Sequence, residues 1–156
     1  MRTSIYFNLH RKCYSVRAEE GSQKGRVIAH ATRLSAQEVT PKVSEAGRQR
    51  VLAKGRKQVH AYLQGDLLAI EGTLTTAGLA AGAQGELDRV VFAELVETGG
   101  LSGHWESITY NPYKFTTFVS KKDHHPLVFA DVAFFGRGGV SVSDPMWGGY
   151  SEEAVA

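Results

Sequence analysis

The sequence predicts an α+β protein that is mainly antiparallel β, its meanders forming a curved sheet or partly open barrel, with one basic helix near residues 44–57. Three observations predict it. Runs of alternating apolar and polar side chains recur near both ends of the chain, clusters of turn-forming residues separate them, and only one segment has the capping and charge order of a helix. With 156 residues, 42% of them hydrophobic, the chain is long enough for one core and too short for two ordinary domains. A single globular domain over residues 1–147 is therefore expected, with a flexible Gly/Ala loop at 72–86 and a frayed tail at 148–156.

Residues 4–10 place Ile5, Phe7 and Leu9 on one face and Tyr6, Asn8 and His10 on the other, the period-2 pattern of a half-buried strand. After a polar turn at Arg11 and Lys12, residues 13–18 alternate again and complete a hairpin. The loop EEGSQKG leads to a third strand over residues 26–34, rich in β-branched and small side chains. Residues 38–43 form a short fourth strand, which Pro41, lacking a ladder donor, confines to an edge or to its own end. The helix follows. Ser44 is its N-cap, Glu45 sits in the first turn, and Lys54, Arg56 and Lys57 crowd its last turn, as the helix dipole favours. Gly47 and Gly55 weaken it by about 1 kcal/mol each relative to alanine.

Residues 58–71 read as a long strand or a bent pair broken at Gly65, and GTLTTAGLAAGAQG as a loop with little to bury. Residues 87–97 fit a strand or a helix, with a strand preferred. The last third reads as a second meander of four strands, WESITY, FTTFV, PLVFADVAFF and VSV, separated by the turns NPYK, KKDHHP and GRGG.

Charge is unevenly distributed. The whole chain carries +2, yet residues 1–60 hold thirteen basic against four acidic side chains, a net +9 that leaves −7 for the remainder. Such asymmetry points either to a basic surface for a polyanion or to two faces that partly neutralise each other. No apolar run approaches the roughly 18 residues of a membrane helix. The first residues lack the pattern of a signal peptide, and a single cysteine, Cys13, excludes an internal disulfide and suits a reducing compartment, so a cytoplasmic protein is expected. No phosphate-binding or hydrolase motif is present, and neither a cofactor nor a metal is expected. The pair His124 and His125 projects to opposite sides of an extended chain, with only Asp123 nearby, and reads as a solvated turn.

The best physical candidate for function is the basic helix. Arg50, Lys54 and Lys57 share one stripe and, with Lys42, Arg48 and Arg56, bring residues 41–60 to +5, a density that attracts phosphates with salt-dependent affinity. A solvated face that keeps the protein soluble is the simpler reading of the same residues. The aromatic group Tyr110, Tyr113, Phe115 and Phe118 with Lys114 offers a stacking platform for bases, or part of the core. His10, His30 and His60 all lie on predicted strands, and His10, Lys12 and His60 could act as a general acid–base trio on RNA.

Three stretches, SIYFNLHRKCYSVR, VSEAGRQRVLAKGRKQVHAYLQG and YNPYKFTTFV, resemble small uncharacterised proteins encoded by tailed bacteriophages and prophages. The resemblance covers about half the chain and carries no catalytic residue with it. It implies a protein of the bacterial host cell that antagonises host defence, as anti-CRISPR proteins do, or binds a host enzyme. The leading expectation is thus a non-enzymatic binding protein. It would act on a host protein or nucleoprotein complex through Lys42, Arg48, Arg50, Lys54, Arg56 and Lys57, with DNA or RNA as a possible direct partner. The alternatives are a metal-independent nuclease using His10 and His60, a DNA mimic presenting Glu94, Glu97 and Glu106, and a structural component of the virion.

Overall fold

A computed structural model describes residues 1–8, 10–43, 46, 49, 52, 53, 61–82, 105–110 and 118–149. Among the described residues there are eight strands: β1 (Arg2–Asn8), β2 (Cys13–Ala18), β3 (Val27–Val43), β4 (Ala61–Leu74), β5 (Trp105–Tyr110), β6 (Phe118–Ser120), β7 (Leu127–Gly136) and β8 (Gly139–Trp147). One short helix, α1 (Thr76–Ala80), follows β4. All described strand pairs are antiparallel, in the order β2-β1-β4-β3-β7-β8-β5-β6, and β2 also pairs with β3. Strands β1 to β4 thereby form a cycle of four pairings, while β7, β8, β5 and β6 extend from β3 as an open sheet. The antiparallel β class is as expected, and the sheet is not a clear barrel.

The β1–β2 hairpin follows its alternation. Phe7 pairs with Tyr14 and Ile5 with Val16; Ile5, Tyr14 and Val16 pack into the core and Phe7 stays partly exposed at its edge, while Ser4, Tyr6, Asn8, Ser15 and Arg17 occupy the other face. The third and fourth predicted strands are one strand, β3. Across the β4 register Gln37 pairs with Asp66 and Thr40 with Gln64, so β3 carries an extra residue there, and Glu38 takes a left-handed φ of 52°. This bulge bends the strand without ending it. The Arg2 guanidinium donates to the Glu38 carbonyl at 2.8 Å and holds the bend. Pro41 lies beyond the last β7 partner, Val39 with Ala130, where β3 is paired with β4 alone.

Gly65 does not break β4, which runs unbroken from Ala61 to Leu74. The expected loop after it is also folded in its first part. Gly72 to Leu74 continue the strand, and Thr75 caps α1 by accepting from the Gly78 amide at 3.1 Å while its hydroxyl donates to the Val27 carbonyl at 2.6 Å. The turn chemistry of Thr75 outweighs the low apolar content of the segment. Residues 83–86 and the ambiguous segment 87–97 lie outside the described residues.

The last third is not a simple meander. Strand β5 pairs with β6 on one side and β8 on the other, and a bridge between Val119 and Pro126 links β6 to the segment just before β7. The β7–β8 hairpin, closed by Arg137 and Gly138, returns beside β5 because Val140 and Val142 bury against the same core as Ile108. Of the expected tail, Gly148 is tied down by its amide donating to the Pro126 carbonyl at 2.8 Å, and residues 150–156 lie outside the described residues. The core is continuous from Ile5, Val16 and Ile28 through Leu34, Val39 and Leu63 to Phe135 and Val142. In the segment of the predicted basic helix only Ala46, Gln49, Leu52 and Ala53 are described; their backbone is helical, and the basic side chains are not among the described residues.

Candidate functional site

The turn end of the β1–β2 hairpin and the β7–β8 turn enclose a pocket of about 690 Å³. Its walls include Ile5, Phe7 and Tyr14 from the hairpin, Ile108 and Phe118 from β5 and β6, and Phe135 and Val140 from the β7–β8 hairpin. The aromatic side chains lock edge to face. Phe7 to Tyr14 and Tyr14 to Phe135 each have ring centroids 5.4 Å apart at 77°, a geometry the ring quadrupoles favour. His10, Lys121 and Arg137, all exposed, line the pocket at its solvent side, and no Asp or Glu is among the described lining residues.

Three of the polar side chains that line the pocket are already engaged. The Tyr14 hydroxyl donates to the Gly136 carbonyl at 2.9 Å, and the Thr109 hydroxyl to the Val119 carbonyl at 3.4 Å. Asn8 is likewise spent, its amide donating to Ser15 Oγ and its carbonyl oxygen accepting from the backbone N–H of His10 and Arg11. That last pair of bonds shapes the turn that carries His10 to the mouth.

Burial pushes the Tyr14 phenol from 10.0 up to about 12. The folded state thus holds the neutral phenol more tightly than the unfolded chain does. The stability this contributes is complete below pH 10 and is lost as pH rises towards about 12. Denaturant unfolding across that window should show stability falling with pH in the wild type and falling less steeply in Tyr14→Phe. An identical slope in both would place the loss on other groups.

The histidines take separate roles. His10 lines the mouth; His30 lies on β3, its Nδ1 3.1 Å from Ser15 Oγ, and its pKa is lowered by burial and then by the Arg11 charge. His60 lies outside the described residues. At the β6–β7 turn the Ser120 hydroxyl donates to the Asp123 carboxylate and lowers its pKa, His124 adopts a left-handed φ of 58°, and His125 Nδ1 is 3.1 Å from the Gly148 carbonyl. Among the described residues no three His, Cys, Asp or Glu side chains are placed to hold a metal.

Of the six basic residues expected to form the binding face, only Lys42 is described. It is exposed near the end of β3, in register with Tyr62 and so beside Ala61, which lines the pocket. Arg48, Arg50, Lys54, Arg56 and Lys57 lie outside the described residues, as do Tyr113, Lys114, Phe115, Glu94 and Glu97. Phe118 is buried in the core, and Glu106 is exposed on β5. Sequence reasoning missed the pocket. The cross-strand pair Phe7 and Tyr14 was a readable signal, whereas the approach of Ile108, Phe118 and Phe135 depends on long-range pairing.

Fold and site define a small antiparallel β protein around an apolar pocket with a basic mouth. The sequence profile described as Mycobacterium phage L5 gene 82 protein matches residues 1–143. The gene 82 protein of Mycobacterium phage L5 is 30% identical over 146 residues, spanning 90% of this chain and 94% of the relative. The chain belongs to this phage L5 gene 82 family. No solved structure is significantly similar to it. Among the described residues no helix is long and apolar enough to cross a membrane.

Proposed function

We propose that the protein is a non-enzymatic phage binding protein that antagonises a host nucleoprotein machine in the bacterial cytoplasm, in the manner of an anti-CRISPR inhibitor. Its cationic side chains are directed at nucleic acid or at the partner surface that nucleic acid occupies. The observation supporting this reading is the +9 concentrated in residues 1–60. Arg11, Lys12 and Lys42 are exposed and make no ion pair among the described residues. Some neutralisation between the two parts of the chain does occur, through Arg2 with Asp66 at 4.0 Å and Arg33 with Glu71 at 3.8 Å. Surface pairs of this kind contribute about 0–1 kcal/mol and leave most of the positive potential free to act on a partner.

The test is fluorescence anisotropy with labelled single- and double-stranded DNA and RNA, titrated with salt. Each phosphate contact steepens the log–log slope by about 0.7 to 0.9, so a slope of several units is expected. Reversing Arg50, Lys54 and Lys57 to Glu together should abolish binding, or reduce the slope by about 2 to 3, while circular dichroism stays unchanged. Undiminished binding in that variant would remove the basic stripe. Absence of nucleic-acid binding at low salt, with no host nucleoprotein co-purifying, would overturn the reading as a whole.

A further inference from the structure

We propose that the pocket between the β1–β2 hairpin and the β7–β8 turn binds a free linear carboxylate, its hydrocarbon chain inside and its anionic head at the basic mouth. This goes beyond the proposed function and does not depend on it. Four observations carry it. The cavity, at about 690 Å³, lies within the range of about 300–1,000 Å³ typical of small-molecule sites. Its walls are apolar, with Ile5, Phe7, Ile108, Phe118 and Phe135 as the main surfaces.

Three of the polar side chains that line the pocket are spent on the protein itself. Tyr14 donates to Gly136, Thr109 to Val119, and Asn8 is bonded on both sides of its amide. A nucleobase or sugar entering there would leave its own donors and acceptors unpaired, a penalty that a hydrocarbon chain does not incur. At the mouth the balance reverses. Lys121 and Arg137 present positive charge, His10 adds an imidazole, and no carboxylate among the described lining residues opposes them. An alcohol would leave that charge unused and an ammonium head would be repelled. The complementary occupant is therefore a chain with a single terminal anion.

The probe is dodecanoate below its micelle concentration, titrated into the full-length protein by isothermal calorimetry, with octanoate, dodecanol and dodecyltrimethylammonium in parallel. One dodecanoate per chain is expected. Octanoate should bind far more weakly, since each buried methylene changes affinity by about fourfold. The double variant Lys121→Glu with Arg137→Glu should weaken dodecanoate by tenfold or more and leave dodecanol unchanged; both side chains are exposed, so the fold should survive. Phe7→Asp, at a partly exposed wall position, should weaken all apolar ligands together.

No saturable dodecanoate binding, equal affinity for the three head groups, or undiminished binding in the double variant would each overturn the proposal. The variant reversed at Arg50, Lys54 and Lys57 separates the two readings, because it should lose nucleic acid and retain dodecanoate.

Discussion

Phe135→Ala should destabilise the protein by about 3–5 kcal/mol, the cost of deleting a buried phenylalanine and leaving a cavity behind. The ring is 2% exposed and lies on β7 opposite Leu34 of β3 and Val140 of β8. It therefore joins the open sheet to the four-strand cycle at the point where β3 is paired on both sides. The ring also meets Tyr14 in a T-shaped contact, so truncation removes an aromatic interaction worth about 0.5–1.5 kcal/mol in its own right. Urea unfolding monitored by circular dichroism gives the loss directly. In Phe135→Leu, which keeps most of the volume, it should be markedly smaller. A loss below about 1 kcal/mol in the alanine variant would mean that β7 is not anchored through this ring.

Gly78→Ala should also destabilise, by about 2 kcal/mol or more, against its local propensity. Alanine in a helix is favoured over glycine by about 1 kcal/mol, so sequence reasoning alone expects a gain at this position. The structure reverses the sign. Gly78 is the buried residue of α1, and an added Cβ would lie 2.0 Å from the Ile28 carbonyl oxygen. That oxygen already accepts the Thr75 amide at 2.9 Å, so it is held where the cap needs it. Either α1 must lift from β3 or the strand must shift, an overpacking cost of about 3 kcal/mol that exceeds the propensity gain. Gly138→Ala is the control. Its Cβ would meet no atom within 4 Å, and stability should change by no more than about 0.5 kcal/mol. Equal melting temperatures for the two variants would show that α1 does not press on β3.

Legibility in the sequence tracked the range of the interactions concerned. The β1–β2 hairpin was readable because its partners are neighbours in sequence and its alternation is clean, with Ile5 and Phe7 on one face and Tyr6 and Asn8 on the other. The GRGG turn was readable for the same reason. The single 17-residue strand β3 was not, because Glu38 and Pro41 look like punctuation until β4 and β7 are there to hold the chain on both sides of a bulge. The intervening β8 could not be foreseen either. A meander is the default when turns are short, and only the shared burial of Ile108, Val140 and Val142 places β8 beside β5.

The candidate site divides along the same line. The cationic excess of residues 1–60 is a matter of composition and needs no coordinates, and family membership likewise resides in the order of residues along the chain. The pocket is different. Phe7, Phe118 and Phe135 are far apart in sequence, and each alone reads as ordinary core; Lys121 and Arg137 belong to two separate turns. By itself, then, the sequence determined the antiparallel β class, the first hairpin and the sign of the charge, because these depend on side-chain periodicity and count. Only the tertiary structure decided which turns meet and what lies beneath them. Those contacts come from non-local strand pairing, whose register is set by burial across the whole sheet and not by any local run of residues.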